Sequence, residues 1–501
     1  MHDMPAEDSS TAPGVALGLK DPSLLRQACL IGGDWVTAAS GKTIVVRNPA
    51  TGGIVGHVPS LSRAEIDAAV KAAYNAQAGW RAMTAKERSL ILRRLFELMI
   101  ANTDDLARIL TAEQGKPLAE ARGEIVYAAA FIEWFAEEGK RAYGDVIPTP
   151  VKGRRVIVQK EPIGVFAAIT PWNFPTGMIT RKAGPGWAAG CAGVIRPADE
   201  TPFSALALGV LAERAGMPPG VCNIVTGEPS ESGKALCENP LVRKLSFTGS
   251  TRVGALLMAQ CAPTIKKTSM ELGGNAAFIV FDDADLDSAV KGAMASKYRN
   301  AGQTCVCANR MLVQEGVYDA FVAKFTAAVK GLHVGNGLDD GVTQGPLINP
   351  AALAKVKAFV DDARAKGAKV LIGGSPDALG GNFFEPTVLS EVPREARMFD
   401  EEIFGPVAPL YKFKSEAEAI ALANDTPFGL ASYFYSRDIG RIFRVAEALE
   451  TGMVGVNESL ISSEAVPFGG VKLSGIGREG GRYGIEEYLE IKAITLGGLD
   501  S

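Results

Sequence analysis

The sequence predicts an α/β fold built on parallel sheets, and three observations carry that expectation. Helical and strand-like apolar patterns alternate along the chain instead of segregating into blocks. The strand-like runs are short, nearly continuous in apolar residues and bounded by Gly, Pro or Asn, as suits strands covered on both faces. At 501 residues the chain is also too long for one ordinary core, so two or three domains are expected.

In chain order, three helices are expected to open with a capping box, a hydroxyl and a carboxylate satisfying the free N–H groups of the first turn. These are Ser62-Arg63-Ala64-Glu65, Thr84-Ala85-Lys86-Glu87 and Ser415-Glu416-Ala417-Glu418. After the first, Ile66, Ala69, Val70 and Ala73 recur at helical spacing; after the second, Leu90, Ile91, Leu95 and Leu98 do so. Buried parallel strands are expected at Gly164–Ile169, Val221–Val225, Ala277–Phe281, Lys369–Ile372 and Met453–Val456. No internal repeat stands out, and no Pro/Gly linker divides the chain.

Hydrophobic residues at 47% and charged residues at 22% suit a soluble globular protein. A formal charge of −4 gives no footprint for nucleic acid or anionic membrane. No apolar run approaches the roughly 20 residues of a membrane helix. Residues 1–20, rich in small residues and Pro and carrying Asp3, Glu7 and Asp8, are expected to form a disordered tail rather than an Arg-rich transit peptide. Seven scattered cysteines read as free thiols in a reducing compartment, so a cytoplasmic protein is expected.

The chemistry concentrates in two words. One is Tyr298-Arg299-Asn300-Ala301-Gly302-Gln303-Thr304-Cys305-Val306-Cys307, the other Met270-Glu271-Leu272-Gly273-Gly274. A free cysteine is often a small core hydrophobe, but the flank of Cys305 is too polar and glycine-rich for a core strand. A cysteine protease would need a histidine to take the thiol proton. The three histidines, His2, His57 and His333, lie in no such word. They are also too few for a metal site, and no Cys-x-x-Cys pair occurs, so no metal is expected.

Three further segments bear on dinucleotide binding. Phe247-Thr248-Gly249-Ser250-Thr251-Arg252-Val253-Gly254 follows a strand-like run, where glycine admits a pyrophosphate and a helix N-terminus favours its charge. Taken alone this is a weak signal and a plain turn of the same composition is the commoner reading, since the spacing is not G-x-G-x-x-G. The others are Thr170-Pro171-Trp172-Asn173-Phe174-Pro175 and Ile195-Arg196-Pro197-Ala198-Asp199.

Together with Glu401-Glu402-Ile403-Phe404-Gly405-Pro406 and Pro467-Phe468-Gly469-Gly470-Val471-Lys472-Leu473-Ser474-Gly475, these words resemble the aldehyde dehydrogenase superfamily from about residue 22 to 499. The resemblance implies two Rossmann-like parallel-sheet domains plus a small β oligomerisation element. The implied boundaries are 21–142 and 161–275 for cofactor binding, 276–470 for catalysis, and 143–160 with 471–501 for oligomerisation into a homodimer or homotetramer. It implies oxidation of an aldehyde with NADP or NAD through a thiohemiacetal and thioester on Cys305. Glu271 would be the general base, and Asn173 with the Cys305 backbone N–H would receive the oxyanion. Thr170, Trp172, Arg196, Asp199, Gly249, Ser250, Glu402 and Phe404 would meet the cofactor.

The chain departs from the family at Arg196 and Asp199, where Lys-Pro-Ala-Glu or Lys-Pro-Ala-Ser is usual. Arginine suits a 2′-phosphate, with Arg252 a second cation nearby, while Asp199 suits a ribose hydroxyl, leaving NAD against NADP open. Gly184-Pro185-Gly186-Trp187 also replaces a small-aliphatic helix and puts cofactor affinity in question. Within the superfamily the chain most resembles succinate-semialdehyde dehydrogenases, on Ile179-Thr180-Arg181-Lys182-Ala183-Gly184, Arg299, the Cys305-Val306-Cys307 word and Asn457-Glu458-Ser459-Leu460-Ile461-Ser462-Ser463. That implies Arg181, Arg299 and Ser462 as ligands of a distal carboxylate, and Cys305 with Cys307 as a candidate redox switch. The arginines could instead serve structural ion pairs. Glutarate semialdehyde, one methylene longer, stays open as a substrate. So do a CoA-acylating enzyme and a catalytically silent binding or structural descendant, although Glu271 argues against the first and the intact Cys305, Asn173 and Glu271 against the second.

Overall fold

Two predominantly parallel sheets organise the chain, seen here in a computed structural model that describes residues 17–499. The larger has eight strands in the order Asp34–Val36, Cys29–Ile31, Cys222–Ile224, Ala192–Arg196, Val165–Ile169, Val242–Thr248, Lys267–Glu271 and Gly475–Ile476. The five from Cys222–Ile224 to Lys267–Glu271 run parallel. The second sheet has seven strands, Lys369–Ile372, Thr387–Ser390, Val407–Phe413, Ala308–Gln314, Ala276–Val280, Ala431–Tyr435 and Met453–Val456. A third, antiparallel sheet pairs Leu489–Leu496 with Arg155–Pro162, and that strand with Asp145–Ile147.

Strand periodicity divides the packing of the larger sheet. In Val165–Ile169 every residue is buried; Phe166 and Ala168 enter one core with helix Leu118–Glu138, while Val165, Ala167 and Ile169 enter another with helix Arg63–Ala82. Successive side chains leave a strand on opposite faces, so helices on both faces require a continuous apolar run. Two capping boxes form as expected, Glu65 accepting from Ser62 N and Glu87 from Thr84 N, each at 2.7 Å. In the third, Ser415 caps Glu418 N, but the Glu418 carboxylate takes Lys414 N instead of Ser415 N.

Other expectations are corrected by tertiary packing. Lys369–Ile372 pairs antiparallel at a sheet edge and is only partly covered. Leu90 is exposed, because its helix turns Ile91, Leu92, Leu95 and Met99 inward. Of the expected tail, residues 1–16 lie outside the described residues; Leu19 is buried, and Lys20 N and Asp21 N donate to the Asp105 carboxylate at 3.0 and 2.8 Å. Gly186 and Trp187 belong to the core: a Cβ at 186 would lie 2.6 Å from the Phe166 ring, and Trp187 donates to Val221 O at 3.2 Å. Trp187 shares its core with Phe166, and neither Gly186 nor Trp187 lines the cavity that takes in Trp172, Gly249 and Ser250.

The strand ends assemble the site. Thr170 follows Val165–Ile169, Gly249 and Ser250 follow Val242–Thr248, and Glu271 closes Lys267–Glu271. All three ends are carboxyl ends, where α/β sheets gather ligands. The second sheet brings Cys305 to the same place on the turn before Ala308–Gln314.

Candidate active site

Cys305 lies where two cavities meet. One, of about 260 Å³, is lined by Cys305 with Glu120, Glu124, Tyr127, Phe174, Met178, Arg181, Arg299, Thr304, Ser462 and Phe468. The other, of about 300 Å³, is lined by Cys305 with Trp172, Asn173, Thr248, Gly249, Ser250, Leu272, Gly273, Asn349, Lys355, Glu402 and Phe404. The thiol is thus open to a small molecule from one side and a larger one from the other.

The backbone before Cys305 is unusual. Asn300 and Ala301 have φ near +50° and Gly302 is at +71°, a left-handed run that non-glycine residues adopt only under strong local constraint. Asn300 supplies that constraint: its N–H goes to Glu120 at 2.8 Å, and its side chain to Gln114, Asn173 O and Gln303 O. A Cβ at Gly302 would lie 2.2 Å from Gly405 O, and one at Gly274 would lie 2.5 Å from Cys305 O. Glycine at 274 therefore lets the Glu271 turn touch the backbone of the nucleophile.

Asn173 donates one amide hydrogen to Gln303 O at 3.1 Å, which leaves the second hydrogen of its NH₂. Both carboxyl oxygens of Glu271 are buried without a hydrogen-bond partner. Burial, and then the neighbouring Glu479 charge, hold this carboxyl well above the ordinary range. Burial also pushes the Cys305 thiol up to about 12, with Arg181 working against it. An unpartnered, easily protonated carboxyl whose charge acts on the half-buried Cys305 thiol has the makings of a proton acceptor.

The residues expected to bind a carboxylate gather in the smaller cavity but are not equivalent. Arg181 is buried, with Nη2 2.7 Å from Glu479 Oε2, a charge contact whose angle falls outside hydrogen-bond geometry. Its guanidinium also lies 3.8 Å from the Phe468 ring centroid. Arg299 makes no ion pair among the described residues and stands 5.4 Å from the Phe174 ring centroid. Ser462 Oγ shares a 2.6 Å hydrogen bond with Tyr127 OH, which accepts from Arg181 at 3.4 Å.

In the larger cavity Trp172 and Phe404 meet edge to face at 5.6 Å, and Glu402 accepts from Gly274 N at 3.1 Å. Burial pushes the Glu402 carboxyl to about 7. Ser250 caps the helix Thr251–Cys261, so N–H groups suited to an anion lie at the cavity wall. Thr248 Oγ1, which has no partner, adds an unsatisfied polar group to that wall. A further cavity shares Ile348 and Asn349 with this one and takes in Asp199. An extended dinucleotide fits these features. Arg196, however, is committed to Asp199 Oδ1 at 2.6 Å and Gly227 O at 3.0 Å, and Arg252 is exposed.

Cys307 is buried, its Sγ 3.5 Å from Lys297 O and 3.6 Å from Ala308 O. Reaching Cys305 requires leaving those carbonyls. The sequence reading did not single out Lys116, Glu120, Glu124, Tyr127 or Glu479 for the site. The local sign was charge at Glu120 and Glu124, one helical turn apart on the helix Leu118–Glu138. Among the described residues there is no cluster suited to a metal ion.

The sequence model described as the aldehyde dehydrogenase family matches residues 35–494. Glutarate-semialdehyde dehydrogenase of Pseudomonas aeruginosa is 64% identical over 481 residues, covering 96% of this chain and 100% of the relative. The NADP-dependent succinate-semialdehyde dehydrogenase of Escherichia coli is 62% identical over 479 residues, covering 96% of this chain and 99% of the relative. The crystal structure of succinate-semialdehyde dehydrogenase from Burkholderia pseudomallei superposes with a TM-score of 0.95 at 62% identity, covering 96% of this chain and 100% of that one.

Proposed function

Because this chain belongs to the aldehyde dehydrogenase family, we propose that it oxidises an aldehyde carrying a distal carboxylate, succinate semialdehyde or its glutarate homologue, to the free acid. One observation carries the substrate reading: the small cavity holds the Cys305 thiol together with Arg299, which forms no ion pair among the described residues; the Glu120 carboxyl shares that cavity without pairing to it, and burial raises it above its ordinary range. Arg299 and the Ser462 hydroxyl would take the distal carboxylate by charge-assisted hydrogen bonds and leave the carbonyl at the sulfur. Arg181 would contribute its field, with Glu479 already at its side.

In the reaction, Cys305 Sγ bonds to the carbonyl carbon, and the thiol proton passes to Glu271. The carbonyl oxygen, now an oxyanion, is received by the second Asn173 amide hydrogen and the Cys305 backbone N–H. Trp172, Gly249, Ser250, Glu402 and Phe404, with Thr170, Arg196 and Asp199, would hold NAD or NADP, which when bound would supply the hydride acceptor for the oxidation. Once the thiol proton has left Glu271 for solvent, the carboxylate takes a proton from the water whose oxygen bonds to the thioester carbonyl carbon. The C–S bond breaks, the acid leaves, and the Glu271 proton returns to Cys305 Sγ. The two unpartnered oxygens of Glu271 support this role.

Seven free thiols support a reducing compartment, which we read as the cytoplasm. No helix of the described residues is long and apolar enough to cross a membrane. The three-stranded sheet exposes Val146 at 73% and Ile491 at 72%, which supports its reading as a surface for self-association.

The test is absorbance at 340 nm with purified protein, NAD or NADP, and succinate semialdehyde, glutarate semialdehyde or butyraldehyde, with and without CoA. Oxidation of the carboxylated aldehydes without CoA, at a kcat/KM about tenfold or more above butyraldehyde, is expected. Equal efficiency on butyraldehyde would refute the carboxylate site, and a requirement for CoA would refute hydrolysis by Glu271.

A further inference from the structure

Asn173 sits in the loop between strand Val165–Ile169 and helix Pro175–Ala189, with no ladder or helix of its own to fix it. Two buried charges from elsewhere hold this loop on both sides. Lys116 Nζ donates to Asn173 O at 2.8 Å, and Asn300 Nδ2 donates to the same oxygen at 3.0 Å. On the other side, Glu124 Oε1 accepts from Thr176 N at 3.0 Å and Gly177 N at 3.2 Å, the first-turn amides of the helix. Lys116 and Glu124 are joined at 2.6 Å, and each side chain is 1% exposed. The Lys116 ammonium also stands 3.8 Å from the centroid of Phe174, the residue after Asn173.

Stability alone is a poor reason for such a pair, since an apolar pair of the same volume commonly does as well or better. An apolar pair could not donate to a carbonyl and accept from two amides at fixed distances. The Gly115-Lys116-Pro117 corner that carries Lys116 is itself pinned by the second sheet's side of the molecule: a Cβ at Gly345 would lie 2.1 Å from Gly115 O, and one at Gly337 would lie 2.4 Å from Lys116 O.

We propose that Lys116 and Glu124 are positioning residues that act as one clamp on the Asn173 loop and set the Asn173 amide against the oxyanion formed at Cys305. The proposal rests on the reading of Asn173 as an oxyanion donor. Loss of such a donor lowers turnover about 100- to 1,000-fold, and a misplacement of about 1 Å lowers it about 100-fold, so the clamp has a measurable effect to exert.

The experiment is a double-mutant cycle in the full chain, with Lys116→Met, Asn173→Ala and the double variant assayed on succinate semialdehyde. Lys116→Met is expected to lower kcat about 10- to 100-fold with little change in KM. In the Asn173→Ala background it should matter less than about twofold, because a clamp has nothing left to place. Alkylation of Cys305 by iodoacetamide forms no oxyanion and should keep its rate in Lys116→Met, and Lys116→Arg should recover part of kcat. Equal losses from Lys116→Met in both backgrounds, or a parallel fall in alkylation, would make the pair merely structural and overturn the proposal. An Asn173→Ala variant with unchanged kcat would instead sink the oxyanion reading on which it rests. If Lys116→Met does not fold, Glu124→Gln takes its place in the same cycle, since it keeps one oxygen for the helix amides and removes the charge and the acceptor that hold Lys116.

Discussion

Arg181 and Arg299 line one cavity, yet their surroundings give them different tasks. The Glu479 carboxylate beside Arg181 already answers its charge, whereas Arg299 forms no ion pair among the described residues. Arg299→Ala should therefore raise KM for succinate semialdehyde about 10- to 100-fold and leave butyraldehyde nearly unchanged. Arg181→Ala should instead lower turnover of both aldehydes, because it leaves Lys182 alone to answer the Glu479 charge that acts on Glu271. Steady-state kinetics on the two aldehydes checks this, and equal losses on both for Arg299→Ala would assign that residue to the scaffold. The titration of the nucleophile has a definite sign as well. Burial raises the Cys305 thiol to about 12, and the thiolate is the reactive form. Each unit of pH below that value then costs about a factor of ten in thiolate. Alkylation of the free enzyme at Cys305, followed by peptide mass analysis, should accelerate about tenfold per pH unit from 6 to 9; a plateau below pH 8 would contradict it.

Among the elements, the turn after Ala192–Arg196 is where the cofactor preference is expected to be set. The turn after Ala192–Arg196 folds Arg196 back onto Asp199, so the cation that would have favoured a 2′-phosphate is already neutralised. Burial raises the Asp199 carboxyl to about 6, with Arg196 opposing, so it is largely charged at neutral pH and opposes a phosphate. NAD should be used more efficiently than NADP. Asp199→Ser, which frees Arg196 and removes the repulsion, should shift the ratio of kcat/KM values toward NADP by about tenfold or more. An unchanged ratio would show that this turn does not read the ribose.

At the scale of the molecule, the three-stranded sheet leaves the strand Leu489–Leu496 as an edge, and Ile491 and Val146 open to solvent. An unpaired edge with apolar side chains is unfavourable in water unless another chain covers it. Light scattering should return a dimer or tetramer mass, and Ile491→Glu should lower that mass. A monomeric parent protein would refute the assignment.

The α/β class and the motif residues were legible in the sequence because their causes are local. Continuous apolar runs between Gly and Pro dictate strands covered on both faces, and a cysteine in a polar, glycine-rich word has no place in a core. The Ser62 and Thr84 caps were likewise written within four residues. What remained hidden depended on distance along the chain. Whether Arg181 is free or paired turns on Glu479, nearly three hundred residues away, and whether Arg196 can reach a phosphate turns on how one short turn folds. Leu90 was misread because helical spacing fixes the period of a face but not which face meets the core. In sequence, Lys116 looks like an ordinary charge in a Gly-Lys-Pro turn and Glu124 like one on a solvated helix face. Only the tertiary structure, by burying them together against the Asn173 loop, gives them a partner carbonyl and two amides, because charges desolvated at that depth must find such groups to remain charged.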